Sequence, residues 1–372
     1  MKNVIGLINL HNSPEIEPLT NSRPLASTTF LGRYSFIDFA LSNFTNSGID
    51  RVGILLKDHS RSIIKHLGSD TTYLKNPKTG WQNIFINEYG LTNPKYNTDL
   101  NNIKENDWFL YDTDAEIVVI SPVSFVARID FNKIVKDHLK SKRKVSVVCR
   151  DTTHADTRFI DCDKVTIDVL GNVQKFENNY GSVKEACISL ETYVFDAKYL
   201  KELLKKLPEI SGLFTLKDLV HYISNYLDVV HAIKFDGYCR YFGSLKEYRD
   251  FSFELLDTSK FSSSLFVEGW DYYTTTHNSS PTSYGLNAEV THSLLANGCQ
   301  VDGKVTHSIL ARNVVVEEGA TVIDSIIFTN TVIKKGVTVK NCIIDKHCVI
   351  KNKELVEGSV DKPLYIPQGE KI

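Results

Sequence analysis

The stretch Ile309-Leu310-Ala311-Arg312-Asn313-Val314-Val315-Val316-Glu317-Glu318-Gly319-Ala320-Thr321-Val322 is followed by two more of the same pattern, Ile326 to Val339 and Ile343 to Val356. Each copy begins 17 residues after the one before. Inside a copy an apolar residue recurs about every six positions, and Gly319 and Gly336 share a phase. Such a hexapeptide period lets each turn of chain stack its apolar residues on the turn below, which is the pattern of a parallel β-helix. A shorter, earlier turn begins at Ser293-Leu294-Leu295, so about four coils are expected over residues 291–372. Cys342, His347 and Cys348 fall within them, where packing or surface exposure accounts for them better than metal binding.

Upstream, the Ser-, Thr- and Tyr-rich stretch Phe261 to Tyr284 marks residues 256–290 as a connecting segment. Residues 1–255 alternate short apolar runs with amphipathic stretches. Val4 to Leu10, Val52 to Leu56, Ile117 to Ile120 and Val145 to Cys149 read as buried strands. Ile37 to Phe44, Ser62 to Leu67 and Phe131 to Leu139 carry helical spacing between them. That alternation predicts an α/β domain with a doubly wound, mostly parallel sheet. Leu200, Leu203, Leu204 and Leu207 form a helical face that Pro208 is expected to end, and Asn93 to Asp107 reads as a long surface loop.

The 372 residues, 42% hydrophobic and 24% charged, suffice for two domains with ordinary cores. A formal net charge of −2 gives no electrostatic reason to expect nucleic acid or an anionic membrane as partner. No apolar stretch is long enough to span a bilayer, and Met1-Lys2-Asn3 with its short apolar run lacks a cleavage site. Seven scattered cysteines with no Cys-x-x-Cys pair fit reduced thiols in a cytoplasm.

The first strand runs into Leu10-His11-Asn12-Ser13-Pro14-Glu15, a turn without glycine. In nucleotide-handling α/β domains this turn is usually glycine-rich, because backbone amides must approach a phosphate closely. Leu19-Thr20-Asn21-Ser22-Arg23-Pro24, Phe36-Ile37-Asp38-Phe39-Ala40-Leu41-Ser42-Asn43, Asn46-Ser47-Gly48-Ile49-Asp50 and Gly243-Ser244-Leu245-Lys246-Glu247-Tyr248 nonetheless resemble the bacterial glucose-1-phosphate adenylyltransferases, or ADP-glucose pyrophosphorylases. The resemblance covers essentially the whole chain and is greatest to the divergent GlgD branch. It implies a nucleotidyltransferase-like domain followed by a left-handed parallel β-helix, and the transfer of an adenylyl group from ATP to glucose 1-phosphate.

That chemistry needs cradled phosphates, Mg²⁺ on carboxylates and cations on the developing charge. The resemblance places the family's glycine-rich loop on Leu10 to Glu15, so that three glycines are replaced, Leu10 and His11 standing for the first two, and its catalytic arginine falls on Glu15. A family lysine falls on Leu25, the two metal-binding aspartates on Ser124 and Tyr241, and the sugar-phosphate lysine on Asn178, with Glu177 retained beside it. Arg23 matches a basic position used for anionic effectors, and Arg33 is a second candidate, although a salt-bridged or solvated Arg23 explains it equally well. Losses at loop, metal and sugar positions together imply a chain without its own catalytic residues, metal or bound cofactor.

Three readings follow. The first is a non-catalytic or weakly active, modulatory subunit in glycogen biosynthesis, paired in a cytoplasmic hetero-oligomer, expected to be a tetramer, with a catalytic subunit that uses Mg²⁺ and ATP, or self-associating alone. The second is an active adenylyltransferase with a rearranged site. The third is a stand-alone sensor of sugar phosphate or nucleotide. His292, His307 and His347 suit the histidine chemistry of hexapeptide acyltransferases, but about four coils leave little room for an acyl-CoA cleft.

Overall fold

Apolar runs dictate the central sheet of the first unit. Strands β1 (Val4–Asn9), β2 (Arg51–Leu56), β3 (Trp81–Ile86), β4 (Ile117–Pro122), β5 (Val145–Thr152), β6 (Asp163–Ile167), β7 (Val173–Asn178), β8 (Ala186–Asp196) and β9 (Val230–Lys234) form it. The computed structural model describes residues 3–68, 72–75, 78–276, 278–351 and 354–372. Met1 and Lys2 of the N-terminal reading, and His277 of the connecting segment, lie outside these residues.

The sheet runs β7-β6-β8-β4-β1-β2-β3, with β5 also paired to β8 and β9 to β5. The order places β1 centrally, parallel to both β4 and β2, while β8 runs antiparallel to β4. Ile117, Val118, Val119 and Ile120 have no solvent exposure, as a strand covered on both faces requires. The end of β1 therefore opens between two parallel neighbours, the usual ligand-binding position of an open α/β sheet.

Two local expectations are corrected. Asn93 to Asp107 is not a loop: it holds a 3-10 turn, Pro94–Tyr96, and a helix, Asp99–Glu105. Thr98 caps the helix by accepting from the Asn101 N–H, and Leu100 and Ile103, one turn apart, are fully buried. Nor does Pro208 end its helix, which continues from Ala197 to Ile210. Proline disrupts a helix through its missing N–H and its ring, but here the four apolar residues already pin that face to the core.

The chain divides into two compact units, Met1–Pro14 with Phe39–Tyr241 and Asp271–Tyr273, and Glu15–Asp38 with Phe242–Trp270 and Thr274–Ile372. Unit two is built on a left-handed parallel β-helix of three five-stranded sheets. Five strands per face correct the expected four coils: the first face begins at Ser283–Tyr284 and the third ends at Leu364–Ile366, outside the strict repeat. The 17-residue period appears in the register, Ile309 beside Ile326 beside Ile343. Val305, Leu310, Val322, Ile327, Val339 and Ile344 fill the interior. Corners take left-handed backbone at Asn313, Asn330, Gly319, Gly336, His292, His307 and His347, so these histidines occupy turn positions. Lys334 to Glu317 and Lys335 to Glu318, each 2.6 Å, link successive coils on the outside. A separate aromatic cluster of Phe30, Phe36, Phe242, Tyr248 and Phe251 packs in the same unit.

Candidate functional site

The turn after β1 is closed by its own hydrogen bonds. Leu10 is buried and donates its N–H to the Leu55 carbonyl at 3.1 Å, while the His11 N–H donates to Asn9 Oδ1 at 3.0 Å. Two amides at the place where a phosphate would be cradled are thus already committed. The His11 ring is buried as well, with Nδ1 3.3 Å from the Asn97 carbonyl and Nε2 3.0 Å from Asn102 Nδ2. A carbonyl only accepts, so Nδ1 carries the proton and Nε2 accepts from the amide, which makes the ring neutral. Burial holds its pKa down at about 4, with Lys57 acting in the same direction and the Asn97 carbonyl against it.

Beneath the turn lies Asp99, fully buried at the start of the helix Asp99–Glu105. Asn9 Nδ2 donates to its Oδ2 at 2.6 Å, and the N–H groups of Leu216 and Leu100 donate to its Oδ1 at 2.7 and 2.9 Å. Burial still pushes the carboxyl up to about 6. Asn9, His11, Asn97, Asp99 and Asn102 form one polar network that fixes the turn.

Ser124 and Tyr241, the two positions implied for metal ligands, are brought close by the fold: Tyr241 pairs across a two-stranded ladder with Phe125, the neighbour of Ser124. Neither side chain is a carboxylate. Tyr241 packs on Phe125 and Phe159 with ring centroids 5.0 and 6.3 Å apart. Among the described residues no group of three or more His, Cys, Asp or Glu is placed to hold a metal ion. Mg²⁺ therefore does not fit the residues at this position.

Asn178 ends β7 opposite Asp163, with its Oδ1 buried and unpartnered. Its neighbour Glu177 is exposed and paired at 2.9 Å with Lys175, which holds its carboxyl below the usual range. Asp163, only 2% exposed, accepts from Lys217 Nζ at 2.9 Å and from His221 Nε2 at 2.7 Å, and Phe176 stacks on the His221 ring. Where β8 bulges between Ser189 and Thr192, Glu191 adopts a left-handed backbone, φ 48°. Its carboxyl is pushed up to about 7 by burial, against the pull of Lys217.

The other sequence candidates lie in unit two. Glu15 is exposed, and Leu25 is buried in a short 3-10 helix, Leu25–Ser27. Arg23 is buried in an ion pair with Asp345, whose carboxylate also accepts from the Tyr365 hydroxyl at 2.6 Å and the Lys346 N–H at 2.6 Å. The structure thus gives Arg23 a salt-bridged position. Arg33 is exposed, its guanidinium 5.3 Å from the Tyr34 ring centroid.

Residues 15–258 match the Nucleotidyl transferase family, and residues 280–363 match the GlmU-like C-terminal hexapeptide family. The chain belongs to the nucleotidyl transferase family. Within it, the chain is similar to the glucose-1-phosphate adenylyltransferase of Thermotoga maritima, 28% identical over 310 residues that cover 82% of this chain and 72% of the relative. The enzyme of the same name from Fervidobacterium nodosum is 27% identical over 87% of this chain and 78% of its own. That from Clostridioides difficile is 28% identical over 80% and 78%.

This nucleotidyl transferase relative carries its most perturbed carboxyls on residues that sequence reasoning missed. Asp99 was hidden by reading its helix as a loop, although Thr98 followed by Leu100 and Ile103 is a cap-and-face signal. Lys217 and His221 show helical i,i+4 spacing, and Glu191 is a lone carboxylate inside the apolar strand Ala186–Asp196. Their assembly around Asp163 joins segments remote in sequence, which no local pattern reveals.

Proposed function

We propose that this member of the nucleotidyl transferase family is a non-catalytic, modulatory subunit of a glucose-1-phosphate adenylyltransferase, of the GlgD type. It acts in glycogen biosynthesis in the cytoplasm, in a hetero-oligomer whose catalytic subunit binds ATP and Mg²⁺. The closed turn carries this reading: His11 is held at both ring nitrogens, and the amides of Leu10 and His11, two of those a triphosphate cradle would use, are already committed. Ser124 and Tyr241 in place of carboxylates point the same way. Removing one charge-stabilising group costs on the order of 10²- to 10³-fold in rate, so several together leave negligible turnover. A retained scaffold without turnover acts on a partner through a coupling free energy across their interface.

The test is ADP-glucose formation by the chain alone, by the catalytic subunit alone and by the two mixed. The expected result is no turnover alone and a changed Vmax or KM in the mixture. Mg²⁺-dependent turnover by the isolated chain, abolished by mutating its own pocket, would establish the rearranged-enzyme reading instead. Absence of co-purification with unchanged partner kinetics would favour a stand-alone sensor. Restoring Leu10→Gly, His11→Gly, Glu15→Arg, Ser124→Asp and Tyr241→Asp together is expected to raise activity above that of the natural chain.

A further inference from the structure

Two cysteines in the central sheet have no role in the site described above. Antiparallel pairing of β5 with β8 sets Cys149 opposite Ser189 and Asp151 opposite Cys187, while β9 sets Lys234 opposite Cys149. Residues two apart on a strand share a face, so Cys149, Asp151, Cys187 and Lys234 lie on one side of the sheet. Both thiols are free; Cys149 is buried and Cys187 half-buried. Cys149 Sγ donates to the Ile233 carbonyl at 3.7 Å, and Lys234 Nζ lies 3.2 Å from Cys187 Sγ while pairing with Asp151.

We propose that Cys187 is a peroxide-reactive thiol and that Cys149 resolves it to a reversible intramolecular disulfide. The neighbouring Cys149 and, against the effect of burial, the Lys234 ammonium draw the Cys187 pKa down, while the neighbouring Cys187 and burial push that of Cys149 up. The Cys187 thiolate attacks one oxygen of hydrogen peroxide; the S–O bond forms, the O–O bond breaks, and the departing hydroxide takes up the thiol proton as water. The Cys149 sulfur then attacks the Cys187 sulfenic acid; the S–S bond forms, the S–O bond breaks, and a second water leaves with the Cys149 proton. Two thiols are oxidised by two electrons and one peroxide is reduced. Diagonal neighbours on paired strands sit about 7 Å apart, whereas a relaxed disulfide wants Cβ atoms about 4 Å apart. The bond closes under strain and is readily reduced again.

The full chain is treated with equimolar hydrogen peroxide and mapped by non-reducing peptide mass spectrometry. A Cys149–Cys187 linked peptide that dithiothreitol removes is expected. Cys149→Ser should leave a dimedone-reactive sulfenic acid on Cys187, and Lys234→Met should slow Cys187 oxidation about tenfold, while Lys234→Arg keeps the natural rate. In the unmutated chain Cys187 should oxidise at least ten times faster than the buried Cys162 and Cys239. Oxidation of Cys187 at the rate of those thiols, or a linked peptide that joins Cys187 to another molecule, overturns the proposal.

Discussion

The β-helix and the turn after β1 both depend on side chains at tight corners, yet they distribute their roles differently. In the β-helix a role recurs: Asn313 and Asn330 occupy equivalent corners and hydrogen-bond at 3.1 Å, and Val305, Val322 and Val339 fill equivalent interior places. In the turn each role is filled once, by Asn9, His11, Asp99 or Asn102. Repetition makes a structure legible and each of its residues replaceable. A single-copy polar network is neither, because every donor in it depends on one acceptor.

The division can be broken hardest from inside the repeat. Asp345 follows Ile344 as Phe328 follows Ile327 and Ala311 follows Leu310, so a carboxylate stands where preceding coils carry apolar residues. Its side chain is 1% exposed and that of its partner Arg23 is 5%. Asp345→Ala should cost about 3–5 kcal/mol in urea unfolding, because it strands a buried guanidinium. Adding Arg23→Met to the same variant should return most of that loss. A cost below about 1 kcal/mol for the single change would mean that location in the β-helix, rather than repetition, governs tolerance.

The turn is expected to answer next. Asp99→Ala leaves the amide of Asn9 and the N–H groups of Leu100 and Leu216 without their acceptor, in a place without solvent. A loss of about 2–3 kcal/mol in urea unfolding is expected, against no resolvable change for exposed Lys335→Ala on the β-helix rungs.

The network also gives the turn a pH signature that the β-helix interior lacks. The folded pKa of His11 lies at about 4, below its ordinary 6.5, so the unfolded chain binds the proton first as pH falls. Its contribution is complete above pH 6.5 and is lost as pH drops towards 4, about 3 kcal/mol across the window. Asp99, raised from 3.8 to about 6, has the opposite sign: the folded state binds the proton first, and stability falls as pH rises through that range. The two slopes oppose each other in the natural chain. Relative to the natural chain, in which Glu191 adds its own fall with rising pH, the stability curves between pH 4 and 7 should therefore tilt in opposite directions, downward with rising pH for His11→Gln and upward for Asp99→Asn. Parallel curves would show that the two groups do not titrate as a linked pair around the turn.

How much of this was legible follows from the same contrast. Three copies at a 17-residue spacing and the shorter turn at Ser293 disclose the β-helix, but the strands Ser283–Tyr284 and Glu289–Thr291 ahead of that turn and Leu364–Ile366 after the third copy lie outside the spacing and escape the count. Buried strands showed in their β-branched runs. The missing glycines at Leu10 and His11 were visible as an absence; what fills the space was not, because Asn97, Asp99 and Asn102 come from a polar segment whose apolar face is only Leu100 and Ile103. Arg23 was readable as a cation, yet its partner lies 322 residues away.

The smallest effect is the most direct test of replaceability. Gly336 holds φ at 76°, and a Cβ added there meets nothing within 4 Å. Gly336→Ala therefore isolates backbone strain from packing, and left-handed backbone costs a non-glycine residue roughly 1 kcal/mol. Gly319, at the same phase one coil earlier with φ 71°, has its nearest atom at 3.9 Å, so Gly319→Ala should cost the same within a few tenths of a kcal/mol. That nearest atom is the Gly336 backbone nitrogen, at ordinary van der Waals distance, so neither Cβ displaces the other corner and the double variant should lose about 2 kcal/mol in urea unfolding. A double variant that loses much more than the sum would show that successive corners cooperate, and that repetition in this β-helix supplies coupling between coils rather than independent copies of one solution.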